Sequence, residues 1–293
     1  MIMENKILQK EIERADNLRN IKGNLPGATD LLESLSNETT PEEDIYYEII
    51  LRLSSLYRDN KSYDIAEDFL IDNIDKAKEF NKPIYLADIY RSIAFIELQK
   101  RSPSQAKEYA QKAMSVLDNI NDGNAKKVKA NIYAILGNIE FTLKNYNEAF
   151  DNYQKSLEES NDINFIQRAI TVKNDIANVH IEMGDLEKAK EILLSILQDA
   201  KDKYKSSVPQ VYMRLARIEF EQLNYLKVKK YLRKSISIST KEGWKRDIAE
   251  AREGLAKLYK VIGKSKKAQK ELKLAYDIYS ELDLLEKAQA VKN

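Results

Sequence analysis

Apolar residues recur along most of the chain at i, i+3 and i+4, the period of a helix buried on one face. Leu193, Ile196 and Leu197 show it, as do Leu255, Leu258 and Tyr259. Turn signals interrupt the pattern at Lys144-Asn145, Gly184-Asp185, Leu223-Asn224 and Gly263-Lys264. A longer period lies over the shorter one. Ser54, Ala94, Gly137, Ala177, Ala216 and Ala256 are each followed, twelve residues on, by Ala66, Ala106, Ala149, Ala189, Val228 and Ala268. Seven further on stand Asn73, Ala113, Ser156, Ile196, Ser235 and Ala275. Successive first positions are 40, 43, 40, 39 and 40 residues apart. A small residue on one helix lets a second helix approach, and a large side chain there would overpack the contact. The spacing therefore predicts repeated helix pairs, a fold built by stacking one supersecondary unit.

The segment LGNIEFTLKNYNEAFDNYQKSLE (Leu136–Glu158) resembles the tetratricopeptide repeat consensus, and the best unit runs from Ala130 to Ile163. That resemblance implies an all-α, right-handed superhelical solenoid of about seven helix pairs. Read this way, residues 1–293 are a single array. A degenerate first repeat at 7–40 carries Ala15, Gly23, Pro26 and Ala28; clear repeats fall at about 47–80, 87–120, 130–163, 170–203, 209–242 and 249–282; a capping helix occupies 284–293. Asn121 to Asn124 and Ser206 to Pro209 read as turns between repeats. The period near 40, rather than 34, is similar to that of the peptide-pheromone receptors of Gram-positive bacteria. The extra residues read as lengthened helices or turns.

Composition removes most enzymatic chemistry. The chain has 293 residues, no Cys, one His, 8 Gly and 5 Pro. No disulfide, zinc–thiolate site or cysteine nucleophile is possible. The single His180 excludes a multi-histidine metal site and sits beside no nucleophile that sequence can identify. There is no phosphate-binding glycine motif, and no cofactor is expected. Adjacent carboxylates such as Glu42-Glu43 and Glu158-Glu159 do not face one another on a helix. Trp244 reads as a local packing plug or, alternatively, a ligand-stacking residue. Tyr57, Tyr153 and Tyr259 fall at repeat core positions. An apolar signal region and an 18-residue apolar run are both missing, so the expected location is cytoplasmic, without membrane insertion.

In such a solenoid the first helix of each pair lines the inner groove. The resemblance places Asn131, Asn138 and Phe141 there, followed by Asn174, Asp175 and Asn178. Gln210, Arg214, Arg217 and Phe220 continue the series, with Glu253, Lys257 and Lys260 at its end and Phe95 earlier. Asn offers a donor and an acceptor on one short side chain, which suits an extended peptide backbone. Arg214 and Arg217 add forked donors for a carboxylate. The alternative is that these are solvated helix positions. In relatives that grip a C-terminal carboxylate, Asn and Lys/Arg occupy comparable positions; Asn138, Asn178 and Arg214 match, but Ala134 stands where the first-unit Lys would be.

The function expected is therefore a non-enzymatic scaffold that holds a peptide or protein segment. Alternatives are the sensor module of a peptide-responsive bacterial regulator acting through a separate effector chain, and a self-associating structural protein. Charge sharpens the picture. The formal net charge is +1, yet residues 1–200 hold 25 Lys+Arg against 35 Asp+Glu, and residues 201–293 hold 23 against 12. A net of −10 followed by +11 is a long-range asymmetry. It suggests an acidic ligand near Arg214 and Arg217, or head-to-tail self-contact. Nucleic acid is disfavoured, because no stacking aromatics interleave the basic run.

Overall fold

A computed structural model describes residues 2–20, 24–200, 204–282 and 284–292, and among these every element is helical. The described residues group into two compact units, 1–165 and 166–293. The first unit contains α1 (Ile2–Asn20), α2 (Leu25–Glu38), α3 (Asp44–Asp59), α4 (Tyr63–Ile71), α5 (Ile74–Glu79), α6 (Pro83–Gln99), α7 (Pro103–Val116), α8 (Gly123–Thr142) and α9 (Tyr146–Asp162). The second contains α10 (Ile166–Glu182), α11 (Leu186–Asp199), a 3₁₀ turn (Lys205–Ser207), α12 (Val208–Glu221), α13 (Tyr225–Glu242), α14 (Lys245–Val261), α15 (Ser265–Glu281) and α16 (Leu285–Lys292). The described residues adopt the expected all-α architecture, with seven helix pairs and a further helix, α16.

The small-residue seam explains the pairing. Ala94, Ala106 and Ala113 are fully buried, as are Ala177 and Ala189, and Ala256 with Ala275. At Gly137 the approach is closest: a Cβ built there would lie 2.5 Å from the Tyr153 ring. The Tyr153 hydroxyl then donates to Asn138 Oδ1 at 2.7 Å, and Ser156 Oγ donates to the Ala130 carbonyl at 2.6 Å. Ala15 and Ala28 are buried in one cluster of the degenerate first pair, while Gly23 lies outside the described residues.

The turns obey the same period. Seven residues after each first small position stands a residue with left-handed backbone: Lys61, Arg101, Lys144, Gly184, Leu223 and Gly263, at φ between 59° and 82°. Only two of the six are glycine. A side chain in this region costs about 1–2 kcal/mol, so packing of the helix pair, rather than glycine's freedom, imposes the turn.

One pair departs from the pattern. Its second helix breaks into α4 and α5 at Asp72 and Asn73. Asn73 is buried, accepts from the Tyr46 hydroxyl at 2.6 Å and donates to the Phe69 carbonyl at 2.7 Å. Its side chain thus bonds a main-chain carbonyl of the preceding turn, the competition that makes Asn a poor helix-interior residue. At the start of α8, Asp122 caps the helix by accepting from the Asn124 and Ala125 amides, both at 2.9 Å.

Neighbouring pairs are tied by a buried carboxylate three residues after the first small position. Glu140 accepts from Lys107 of α7 at 2.6 Å and from Asn145 at 2.8 Å. Glu219 pairs with Lys190 of α11 at 2.7 Å and accepts from Asn224 at 2.8 Å. Lys107 and Lys190 each follow the second small residue directly. The equivalent of that lysine beside Glu97 is Glu67, and Lys100 bridges the two, at 3.3 Å from Glu97 and 2.7 Å from Glu67. Burial and the nearby Glu67 push the Glu97 carboxyl up. At the C-terminus, Ala288 and Val291 of α16 bury against Ala249, Ala275 and Tyr279, covering the apolar face of the last pair.

Two predictions follow from the packing. Gly137→Ala should destabilise the fold by about 1–3 kcal/mol despite alanine's better helix propensity; pairing it with Tyr153→Leu should recover part of the loss in chemical denaturation. Glu140 is held below the ordinary 4.5 by Lys107 and Asn145; at Glu219 burial pushes upward, but Lys190 and Asn224 outweigh it. A lowered folded value means stability that is present above about pH 4.5 and lost as pH falls through the folded pKa. Glu140→Gln and Glu219→Gln should each cost about 1.5–3 kcal/mol at pH 7 and shrink the stability difference between pH 7 and pH 3.

Candidate functional site

In the second unit the first helices α10, α12 and α14 each touch the next, so they form one continuous face. The expected site residues of this unit lie on it. The register that carries Asp175 in α10 carries Arg214 in α12; the one that carries Asn178 carries Arg217 and then Lys257. Arg217, Phe220 and Lys257 are brought together around a cavity of about 450 Å³ between α12, α13 and α14. Its wall is apolar, with Met213, Ala216, Val228 and Leu232, and its rim adds Glu221, Glu250 and Glu253. Gly254 keeps it open toward α13, where a Cβ would sit 3.0 Å from Leu232. Phe220 stands edge-on to Tyr225, ring centres 5.9 Å apart.

The arginines are not waiting for a ligand with empty hands. Arg217 is ion-paired with Glu182 at 2.6 Å, and Arg214 with Asp175 at 3.7 Å. Gln210 donates to Asp247 at 2.5 Å and to Glu250 at 3.3 Å. Glu250 is a hub that also accepts from Arg246 at 3.1 Å and Lys287 at 2.6 Å. Burial pushes the Asp175 carboxyl up to about 6, with Arg214 and Arg168 opposing the shift. Burial also raises Asp247; at Glu250 burial acts upward, but Lys287 and Arg246 win and the net direction is down. Asn174 is buried and its Oδ1 has no hydrogen-bond partner. Asn178 is half-buried, and Lys260 is exposed near the end of α14 with Lys257, which lies 3.5 Å from Glu253.

The first unit places Asn131, Asn138 and Phe141 on α8. Asn138 Oδ1 is occupied by Tyr153, whereas Asn131 Oδ1 is buried without a partner. Phe141 packs on Tyr146, ring centres 5.6 Å apart, and Phe95 lies under Arg58 at 4.9 Å.

His180 is half-buried, 3.6 Å from Asp185, and burial lowers its pKa against the pull of that carboxylate. Trp244 is the N-cap of α14, following the left-handed Gly243. No group of three or more His, Asp or Glu able to hold a metal occurs among the described residues, and none of their helices is long and apolar enough to cross a membrane. Sequence reasoning missed Met213, Asp247 and Glu250. The available signal was register: Glu250 occupies in its pair the place that Gln210 holds in the one before.

The tetratricopeptide repeat family model matches residues 130–163 and 170–198. No curated protein matches the sequence. Solved structures do. A signal-transduction ATPase with numerous domains and a tetratricopeptide repeat sensor, from Pyrococcus horikoshii, aligns with a TM-score of 0.69 at 18% identity, over 97% of this chain and 44% of that one. This chain therefore spans under half of that protein. A Rap protein complexed with competence and sporulation factor aligns with a TM-score of 0.68 at 13% identity, over 97% and 83%. The apo form of the quorum sensor NprR from B. thuringiensis aligns with a TM-score of 0.66 at 13% identity, over 98% and 80%. Two repeats are thus matched in sequence, and the paired-helix fold of these solved tetratricopeptide repeat and quorum-sensing proteins is shared over nearly the whole length of this chain.

Proposed function

We propose that the chain is a non-enzymatic scaffold that holds an extended peptide or protein segment on the face formed by its first helices. The observation that carries this reading is the cavity bounded by Arg217, Phe220 and Lys257. Its apolar wall suits an aliphatic or aromatic side chain, and the two cations at its rim suit an acidic group beside it. In the second unit Asn174 and Asn178 supply donors and acceptors for the ligand backbone, with Gln210 and Lys260 on the same series of helices; in the first unit, taken by itself, Asn131, Asn138 and Phe141 of α8 offer a similar set. The Rap protein that holds competence and sporulation factor, and the quorum sensor NprR, support a sensing role for such a face. An effector in a separate chain would then read the bound state. Among the described residues of this face no nucleophile, base and orienting group stand together, which favours binding over chemistry.

Arg214 and Asp175 make the binding pH-dependent. Above about pH 6 the Asp175 carboxylate is ionised and engages Arg214. Below it the carboxyl is neutral and Arg214 is released toward a ligand carboxylate, which stays ionised to about pH 4. Peptides pulled down from the source cell, identified by mass spectrometry and synthesised, give the test. Calorimetry should show Phe220→Ala and Lys257→Glu each weakening binding by about tenfold or more, with helicity unchanged. Unchanged affinity in both variants would remove the cavity from the account. Affinity should also rise as pH falls from 7.5 to 5.5, by up to about tenfold per pH unit for one linked proton, and Asp175→Asn should abolish that dependence.

A further inference from the structure

Two surfaces, on second helices rather than on the proposed ligand face, are strongly charged and opposite in sign. In the second unit, α13 presents Leu226, Lys229, Lys230, Arg233, Lys234 and Ser237 along a shallow outward cleft of about 420 Å³. The spacing 226, 229, 230, 233, 234, 237 is one face of one helix. Leu226 is 88% exposed. Lys264 and Lys267 of α15 lie close enough that, after Arg233, they help hold the Lys229 amine below its ordinary pKa. Lys229, Arg233, Lys264 and Lys267 have no ion pair among the described residues. Like charges gathered without carboxylates do nothing for folding, since their mutual repulsion opposes it.

In the first unit, α4 carries the complement. Ile65 is 56% exposed and Ile71 41%, and they stand among Asp64, Asp68 and Asp72, all exposed. Lys100 holds Asp64 at 2.9 Å, but Asp68 and Asp72 have no ion pair among the described residues. A single exposed aliphatic residue is ordinary. Two on the solvent side of one short helix, with the unpaired Asp68 and Asp72 between and beside them, combine exposed apolar area with charge, the anatomy of a contact surface.

We propose that these faces meet between molecules: the α13 surface of one copy docks on the α4 surface of a second copy. Leu226 would bury against Ile65 and Ile71, with Lys229 and Arg233 opposite Asp68 and Asp72. A second copy is preferred to other occupants because it accounts for both surfaces at once. Duplex DNA or an anionic membrane would engage the cations and leave the exposed isoleucines and aspartates unexplained. The contact joins unlike patches, so each molecule offers one of each. Assembly therefore proceeds head to tail, to a closed ring or an open chain.

Sedimentation velocity on the full chain tests this. At about 20 mM salt the mean mass should rise with concentration above the 33.9 kDa monomer, and it should fall back toward the monomer near 300 mM, where screening is short-ranged. Lys229→Glu/Arg233→Glu and Asp68→Lys/Asp72→Lys should each weaken association about tenfold or more, with helicity retained. Mixing the two double variants should restore a complex, because each then carries one intact and one inverted face. The proposal is overturned by a monomer at every concentration in low salt, by association indifferent to both charge reversals, or by no recovery on mixing. It is equally overturned if the chain stays monomeric while duplex DNA or phosphatidylserine vesicles bind through the α13 cations.

Discussion

The close approach of two helices at a small residue is the constraint on which the rest of this molecule depends. Gly137 against the Tyr153 ring is its tightest instance, and the alanines at equivalent places repeat it more loosely. Once the helices are that close, the chain between them has little choice. It must turn within a few residues, and it does so by placing one residue in the left-handed region at a fixed distance from the seam. That Lys61, Arg101, Lys144 and Leu223 accept this conformation shows where the energy comes from. Burial of an apolar face outweighs a local backbone cost of about 1–2 kcal/mol.

The paired helices then set the position of everything polar. Within each unit the first helices touch one another in succession, so a residue at a given register faces the residue at the same register one repeat later. This is why Asp175 meets Arg214 and why Gln210 meets Glu250. A face built in this way is dense in charge yet largely self-neutralised. Small and apolar residues leave room in it beside Gly254. On the outer side of the second helices some charges stay uncompensated: Lys229 and Arg233 of α13, and Asp68 of α4 with Asp72 at its end, have no ion pair among the described residues.

Much of the fold was legible because its information is local and repeated. The small residues, the turn signals and the helix period all lie within some twenty residues of one another. The break at Asn73 was not legible: the residue occupies a seam position, and only its bonds to Tyr46 and Phe69 show that it interrupts the helix. The candidate site was legible in part. Register alone placed Arg217, Phe220 and Lys257 on one face. The same register sets Asp175 opposite Arg214, but it does not show that Arg217 is engaged by Glu182, which stands four register positions further along its helix. Pairing of that kind depends on rotamers and on burial, which a single sequence does not encode at the level of pattern.

The Glu67 and Glu97 pair gives the first unit an uneven seam. In a stack of repeats, stability is a sum of individual units and of the couplings between nearest neighbours. Where Lys107 or Lys190 answers a buried glutamate, the coupling is a direct attraction between opposite charges. Between α4 and α6, Glu67 and Glu97 share the single ammonium of Lys100 with a third carboxylate, Asp64. The coupling there is weaker whenever both are ionised. Apolar packing therefore carries this junction: Tyr47, Ile50, Leu70, Ile89 and Ile93 are buried together across α3, α4 and α6, so the contact between these pairs is set by shape rather than by the charge that reinforces the others.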